Sequence, residues 1–135
     1  MNEHRFFRCA HCGNMVGMIQ DEGVPLMCCG QKMTHLIPNR TDADPQKHLP
    51  QVSVQPGSIT VIVGNTAHPM AAAHHIQWIY LQTDRGGQRK NLSVDQFPTV
   101  TFALSDEQPI AVFAYCNLHG LWMTELNAHD QTDTV

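Results

Sequence analysis

The sequence predicts an all-β fold, in which a small metal-binding module over residues 1–37 precedes an antiparallel β-sandwich over residues 38–135. Short runs of branched and aromatic residues recur from residue 51 onward with turn residues between them, a pattern typical of a sandwich. Long helical patterns with capping residues are absent. Four of the five cysteines lie within the first thirty residues, and this cluster predicts the module.

Each segment of the chain fits this architecture. Residues 5–36 contain too few apolar side chains to hold so small a unit together, and a bound metal is the usual remedy. Residues 37–50 contain three prolines and are predicted to form a linker that becomes an ordered loop near its end. Strands are predicted over residues 51–54, 58–63, 75–82, 99–104 and 110–115, and turns over residues 56–57, 85–87 and 106–109. The tail from Asn127 is expected to be frayed.

The third predicted strand begins beside two histidines, His74 and His75. Adjacent strand residues point to opposite faces, so at most one of the two is expected to face a given metal. The same alternation predicts one face with Ile76, Trp78 and Tyr80 and another with Gln77, Ile79 and Leu81.

Composition excludes several classes of function. The net charge is −4 and the eight Lys and Arg residues are scattered, which argues against a nucleic-acid partner. Neither a bilayer-spanning apolar run nor a signal-peptide pattern is present, so a cytoplasmic protein without a membrane partner is expected. In that setting the five cysteines indicate metal or redox chemistry rather than disulfides.

The four early cysteines form a tetrathiolate pattern. They are Cys9, Cys12, Cys28 and Cys29, and each half of the pattern ends in a glycine that tolerates the turn required around a ligating sulfur. Four thiolates bind zinc or a single iron, and these residues alone leave that choice open. The adjacent pair is expected to distort the tetrahedron. A disulfide or unligated thiols are the alternative.

A second constellation combines one late cysteine with four histidines. Cys116 and His119 are three positions apart, after an apolar strand and before Gly120, and His48, His68 and one of the pair His74 and His75 lie upstream. A single histidine of this kind is usually an ordinary surface residue. One thiolate together with several imidazoles, however, suits iron, copper or zinc far better than magnesium or calcium.

These motifs, in this order, resemble the desulfoferrodoxin family of two-iron superoxide reductases. The resemblance runs from about residue 7 to about residue 125. It is carried by Cys9-x-x-Cys12-Gly-Asn14, Cys28-Cys29-Gly30, Lys47-His48, His68-Pro69-Met70, His74-x-Ile76-x-Trp78 and Tyr115-Cys-Asn-Leu-His-Gly-Leu-Trp122. It implies a desulforedoxin-like Fe(Cys)4 domain over residues 1–37 and an immunoglobulin-like catalytic β-sandwich over residues 38–135.

The resemblance also implies the roles of individual residues. Cys9, Cys12, Cys28 and Cys29 would hold the first iron, and His48, His68, His74 and His119 with an axial Cys116 would hold the second. Lys47 would lie near the open position of the second iron and attract superoxide. No ligand role is implied for His4, His11, His35, His75 and His129.

The implied activity is the one-electron reduction of superoxide to hydrogen peroxide without release of dioxygen. The Fe(Cys)4 centre would relay electrons from a rubredoxin or a similar donor, and the chain would form a homodimer. Backbone N–H groups of Asn117, Leu118 or His119 are expected to hydrogen-bond the Cys116 sulfur. Trp78, Trp122 and Phe113 are expected to be core residues.

Two departures from the family pattern bear on function. Gln46 stands where many members carry glutamate, so we expect the oxidised second centre to hold water or hydroxide and to show a pH-dependent spectrum. Ala71, Ala72 and Ala73 stand where charged residues are frequent, and this should alter the attraction of partners or anions.

Two alternative functions remain open from the sequence. A non-enzymatic iron electron-transfer protein would use the four-cysteine iron while its second site is blocked. A zinc-binding interaction module would be colourless, and the acidic balance and five-ligand set speak against it.

Overall fold

The computed structural model describes residues 3–41, 43–64 and 68–126. The chain divides into two compact units, Met1–Ile37 and Pro38–Val135. Nearly all regular structure consists of antiparallel strands, so the prediction of an all-β fold is confirmed. The predicted frayed tail from Asn127 and His129 lie outside the described residues. Within the described ranges, no helix combines the length and hydropathy that crossing a membrane requires.

The first unit is built from five very short strands. They are β1 (Phe6–Arg8), β2 (Met15–Gly17), β3 (Met27–Cys28), β4 (Gln31–Lys32) and β5 (Thr34–Leu36). β1 lies between β2 and β5 in one sheet, and β3 and β4 form a separate hairpin. Among the described residues of this unit, only Phe6 and Cys9 are buried apolar side chains. Such limited apolar burial provides only a few kcal/mol of stabilisation, and the unit therefore needs a further cross-link.

The second unit contains one helical turn and seven strands. They are α1 (Pro45–His48), β6 (Pro50–Gln55), β7 (Ser58–Val63), β8 (Ile76–Thr83), β9 (Gly86–Asn91), β10 (Thr99–Ala103), β11 (Pro109–Cys116) and β12 (Gly120–Glu125). One sheet has the order β10-β7-β6 and the other β12-β11-β8-β9. This division into three and four strands is that of a seven-stranded immunoglobulin-like sandwich.

The five predicted strands of the second unit correspond to β6, β7, β8, β10 and β11, with ends that differ by at most one residue. The sequence does not predict β9 because Gly86–Asn91 contains no apolar residue. This edge strand is fixed by pairing with β8, and Gly87 is required there because a Cβ would collide with the Tyr80 ring. β12 begins at Gly120, directly after the Cys116–His119 segment, whereas the sequence pattern predicts only a turn at this glycine and no strand after it.

The core of the second unit lies between its two sheets. A single cluster collects fully buried side chains from β7, β8, β10 and β11. Its members are Ile59, Val61, Val63, Ile76, Ile79, Leu81, Phe102, Val112, Ala114 and Cys116. The Cys116 thiol therefore belongs to the core as well as to the candidate site, and the packing that stabilises the sandwich also holds this ligand.

A β-bulge near the start of β8 overturns the predicted alternation of its faces. Tyr115 pairs with Trp78, whereas the next residue of β11, Cys116, pairs with Ile76, so Gln77 is an extra residue on β8. Ile76 consequently enters the core together with Ile79 and Leu81 instead of sharing the face of Trp78. Bulges commonly redirect side chains next to functional sites. This one lies directly beside Cys116.

The predicted linker is ordered over most of its described length. Asp44 caps α1 by accepting a hydrogen bond from the Gln46 N–H at 2.9 Å, and Pro45 occupies the first turn. Asn39 donates from its backbone N–H to the Leu121 carbonyl at 2.9 Å, and its side chain bonds both the N–H and the C=O of Met123. The segment thus lies against β12 rather than forming a free connection.

Candidate metal centres

Four thiols converge in the first unit on two turns. Cys9 and Cys12 flank a loop closed by the hydrogen bond from Gly13 N–H to Cys9 C=O at 2.9 Å, and Cys28 and Cys29 end the β3 side of a hairpin. Both predicted turn glycines have positive φ, +84° at Gly13 and +73° at Gly30. All four sulfur atoms lie within 4.8 Å of one another. This spacing suits a single tetrahedral ion.

Electrostatics show why this cluster requires a cation. The Cys12 N–H donates to the Cys9 sulfur and lowers the pKa of that thiol to about 6. Hydrogen bonding with Cys12 and Cys9 raises the pKa of Cys29 to about 12, and that of Cys28 also rises. Four thiolates cannot coexist at this distance without a compensating charge, so metal binding must displace the remaining protons.

Four imidazoles form a square in the second unit. Ring centroids of neighbouring histidines along its sides are 4.6–5.0 Å apart, and the His48–His74 diagonal measures 6.3 Å. Neighbouring ring planes are close to perpendicular, at 70–81°. The donor atoms of His48, His68, His74 and Cys116 lie within 4.8 Å of one another. Nδ1 of His119 is 3.0 Å from His48 Nε2 and 3.8 Å from the Cys116 sulfur, so it joins the same group.

The ends of regular elements position these five side chains. His48 closes α1, and Cys116 closes β11. His74 precedes β8 and forms an isolated bridge with Ala71, and His119 lies in the turn before β12. His68 follows β7, and its N–H donates to the Val63 carbonyl at 3.2 Å. The sandwich therefore brings together residues from four separate chain segments at one end of its sheets.

Hydrogen bonds fix which ring nitrogen faces the centre. Nδ1 of His48 lies 2.8 Å from the Asp44 carbonyl, and Nδ1 of His68 lies 2.8 Å from the Pro69 carbonyl. A carbonyl oxygen can only accept a hydrogen bond, so each Nδ1 carries the hydrogen and each Nε2 keeps a free lone pair for a metal. The buried Nε2 atoms of His68 and His74 have no hydrogen-bond partner among the described residues. Unsatisfied buried nitrogens facing a common centre are the arrangement that a metal ion would satisfy.

Burial keeps the imidazoles in the form that binds metal. It lowers the pKa of His68 to about 4 and lowers the pKa values of His48 and His74 as well. These rings are therefore neutral at pH 7. Burial also raises the pKa of Cys116, although the backbone N–H groups of Leu118 and His119 oppose the shift. The expected hydrogen bonds to this sulfur thus come from those two residues, whereas the Asn117 N–H bonds the His75 carbonyl.

Several supporting residues were not evident from the sequence. The Trp122 ring stacks on His48 with centroids 5.0 Å apart, and its indole N–H donates to the His119 carbonyl at 3.1 Å. Thr41 donates its hydroxyl to the same carbonyl at 2.7 Å. Trp122 is buried as expected, but it also supports two ligands. The only sign in the sequence that Trp122 supports these ligands is its position three residues after His119.

The remaining candidate residues lie around the second group or away from it. Lys47 and Gln46 are exposed on α1 directly before His48, and Ala71, Ala72 and Ala73 are exposed beside His74. The His75 ring bonds the Ala71 carbonyl instead of facing the centre. In the first unit, His11 is exposed beside Cys12, and the His35 ring stacks on Phe7. None of these three histidines belongs to either group of converging donor atoms in the described residues.

Both groups fit an iron ion. The first offers four thiols, and the second offers neutral imidazoles with one buried thiol, a mixed set that suits a transition metal. Two such groups on an all-β chain define a protein with two mononuclear transition-metal centres.

Comparison with known proteins assigns the family. Residues 1–36 match the model of the desulfoferrodoxin N-terminal domain, and residues 40–125 match that of desulfoferrodoxin. A desulfoferrodoxin homologue from Methanothermobacter thermautotrophicus is 40% identical over 88% of this chain and 96% of its own length. A desulfoferrodoxin from Nitratidesulfovibrio vulgaris is 35% identical over 92% of this chain and 98% of its own. The chain belongs to the desulfoferrodoxin family.

A solved structure agrees with this assignment. The superoxide reductase from Treponema pallidum superposes with a TM-score of 0.78 at 37% identity, covering 92% of this chain and all of that protein. The predicted resemblance is therefore confirmed in sequence and in fold.

Proposed function

We propose that this protein is a superoxide reductase. It reduces superoxide to hydrogen peroxide at iron held by His48, His68, His74, His119 and Cys116. The four-thiol centre of Cys9, Cys12, Cys28 and Cys29 serves as an electron relay. The net reaction consumes one superoxide, one electron and two protons, yields one hydrogen peroxide and releases no dioxygen.

The square of imidazoles around a common centre, with a buried thiol beside it, is the observation that carries this proposal. The unpartnered Nε2 atoms of His68 and His74 support a metal at that place. The likeness to the Treponema pallidum superoxide reductase supports superoxide as the substrate.

The chain's own residues shape the chemistry. Bound iron(II) supplies the electron that superoxide takes up. Neutral imidazoles leave the site with a net positive charge, which favours the approach of a small anion. Cys116 must lose its proton on metal binding, and its thiolate then donates electron density to the site. Trp122 stacks on the His48 ring and helps to hold this ligand in place.

Lys47 is the residue proposed to handle substrate and protons. It is exposed on α1 next to His48 and forms no ion pair among the described residues. Its ammonium group can attract superoxide and orient water that delivers protons to the product. His48 and Lys47 are consecutive on a capped helical turn, so the cap at Asp44 fixes both at once.

Electron donor, compartment and assembly follow as further parts of the proposal. A rubredoxin or similar carrier is the proposed donor, and exposure of Cys12 and Cys29 supports its access to the relay centre. Five free cysteines suit the reducing cytoplasm. Exposed Ile19, Val24 and Met27 in the first unit support a homodimer, which light scattering would test.

The stoichiometry of product formation tests the activity. Reduced holoprotein is mixed with a known amount of superoxide, and hydrogen peroxide and dioxygen are measured. We expect one peroxide per superoxide consumed and no dioxygen above the uncatalysed background. Dismutation would give one peroxide and one dioxygen for every two superoxides. Cys116→Ser is the inactive control, and a wild-type second centre that superoxide does not oxidise would favour the electron-transfer alternative.

A further inference from the structure

Asn117 links the two chain segments that carry Cys116 and His74. Its side-chain Oδ1 accepts from the His75 N–H at 2.8 Å, and its Nδ2 donates to the Ala73 carbonyl at 3.1 Å. Its own backbone N–H donates to the His75 carbonyl at 3.1 Å. Three hydrogen bonds thus join segments that are far apart in the sequence.

The two side-chain bonds enclose the backbone of His74. The Ala73 carbonyl belongs to the peptide group before His74, and the His75 N–H belongs to the peptide group after it. A single amide therefore holds both peptide groups of one ligand, and it does so from the residue that follows another ligand, Cys116.

His74 depends on its backbone for placement more than its neighbours do. The rings of His48 and His68 are each fixed by a hydrogen bond from Nδ1 to a carbonyl. Among the described residues, no carbonyl holds the His74 ring in this way, and the ring packs against other histidines. Its orientation before metal binding follows from its backbone, which is held by Asn117 on one side and by the bridge to Ala71 on the other.

We call the pair of side-chain hydrogen bonds from Asn117 to the two peptide groups of His74 a bracket. This bracket requires an amide side chain of the length of asparagine. One atom must accept and the other must donate, and asparagine provides both on adjacent branches. Aspartate has the same shape, but its second oxygen would face the Ala73 carbonyl as another acceptor. Glutamine is longer by one methylene and would displace the loop.

We propose that Asn117 is a positioning residue that fixes His74 relative to Cys116 and thereby sets the geometry and metal retention of the second centre. This inference rests on the proposed function only in assigning iron to that centre. Residues that hold metal ligands from outside the ligand set commonly change metal affinity roughly 10- to 100-fold when they are altered.

The chain provides a matched control for the test. Asn39 forms the same kind of bracket on Met123, with Nδ2 to the carbonyl at 3.1 Å and Oδ1 to the N–H at 2.9 Å. Asn117→Asp and Asn39→Asp therefore each turn one donor into an acceptor that faces a backbone carbonyl. Asparagine and aspartate both tolerate the positive φ of +63° at Asn39, so that variant adds no backbone strain.

The experiment measures iron retention in the full-length holoprotein. Protein with a reduced second centre and an oxidised four-thiol centre is mixed anaerobically with an excess of iron(II) chelator, and the absorption of the ferric four-thiol centre serves as the internal reference. We expect Asn117→Asp to release the second iron about 10- to 100-fold faster and to shift the thiolate-to-iron absorption band of the oxidised centre. Asn39→Asp should change neither, although urea unfolding of both metal-free variants should show comparable destabilisation.

Each outcome decides between the two claims. The positioning role would be overturned if Asn117→Asp released the second iron at the wild-type rate with an unshifted thiolate-to-iron band. It would also be overturned if Asn117→Asp and Asn39→Asp accelerated iron release equally. Wild-type protein that holds two irons but does not reduce superoxide overturns only the proposed function. Wild-type protein that holds iron only at the four thiols overturns both.

Discussion

The four thiols of the first unit lie on strands of two or three residues and the turns beside them, with Phe6 and Cys9 as the only buried apolar side chains among its described residues. The ligands of the second unit adjoin strands of six to eight residues, and Cys116 belongs to a fully buried core. In the first unit the thiols contact one another, nearby backbone groups and the Asn14 side chain. In the second, carbonyls, an indole and a hydroxyl hold the imidazoles in place.

This difference separates two ways of building a metal centre. In the first unit the ion supplies cohesion that the chain lacks, so binding and folding are one event. In the second unit the folding of the sandwich offsets the free-energy cost of the site, because it keeps the His68 and His74 nitrogens buried and unpartnered before any ion binds. A preformed site of this kind binds without folding but makes the metal-free protein less stable.

Removal of both irons should produce the largest difference in hydrogen-exchange protection between the two units. We expect chelation under reducing conditions to abolish hydrogen-exchange protection in β1–β5 while β6–β12 stay protected. The reason is that structural sites of this type contribute roughly 10–16 kcal/mol, whereas the second unit has its own core. Hydrogen exchange followed by mass spectrometry measures both units in one sample.

Cys116→Ser is the control for that experiment. It should lose only the second iron and retain protection in both units. If the first unit stays protected from hydrogen exchange after complete iron removal, its folding does not depend on the bound ion as proposed.

Lowering the pH should reduce the free energy of unfolding of the metal-free second unit, because its preformed site keeps histidine rings buried and neutral. The pKa of His68 is about 4 when folded, against roughly 6.5 when unfolded. Because the folded pKa is the lower one, the unfolded state binds more protons, and stability is lost as pH falls from about 6.5 towards 4. We expect a loss of about 2 kcal/mol in the free energy of unfolding, measured by urea titration of the metal-free chain.

His68→Asn tests the origin of that loss. It removes the titrating ring and should flatten the pH dependence, with a smaller remainder from His48 and His74. An unchanged slope would assign the effect to other groups.

Lys47→Ala should slow superoxide reduction about tenfold at low ionic strength while the spectra of both centres persist, because an exposed positive charge beside the site speeds anion approach. Stopped-flow oxidation of the reduced second centre by superoxide measures the rate. Lys32→Ala makes the same charge change in the first unit and should leave the rate unaltered. Equal rates for Lys47→Ala and wild type would remove Lys47 from the mechanism.

Gln46→Glu should have the smallest effect. A carboxylate before Lys47 offers the oxidised centre a ligand that the neutral amide does not, so its absorption should become less dependent on pH. The rate of superoxide reduction should change less than in Lys47→Ala. A pH titration of the oxidised spectrum provides the measurement, and identical titrations in both proteins would show that residue 46 does not influence the open position of the second iron.

The sequence predicted the all-β class, and its resemblance to the desulfoferrodoxin family implied all nine residues whose donor atoms converge. It did not predict the bulge at Gln77, since the alternation of Ile76, Trp78 and Tyr80 in the sequence gives no sign of an extra residue. It also missed β9, whose polar residues are held by pairing rather than by burial. The bracket from Asn117 depends on contacts between distant segments, and such contacts leave no pattern in a single sequence.

The hydrogen bonds of Asn39 to Leu121 and Met123, and of Thr41 to His119, mark where this chain can be shortened. A chain severed after Ile37 keeps every one of them, whereas one severed after Ala43 loses them all. A stand-alone, single-iron derivative should therefore begin no later than Pro38. The short segment from Pro38 to Thr41 is thus part of the smallest portion that could be produced alone, since Asn39 anchors it on β12 and Thr41 supports the His119 carbonyl.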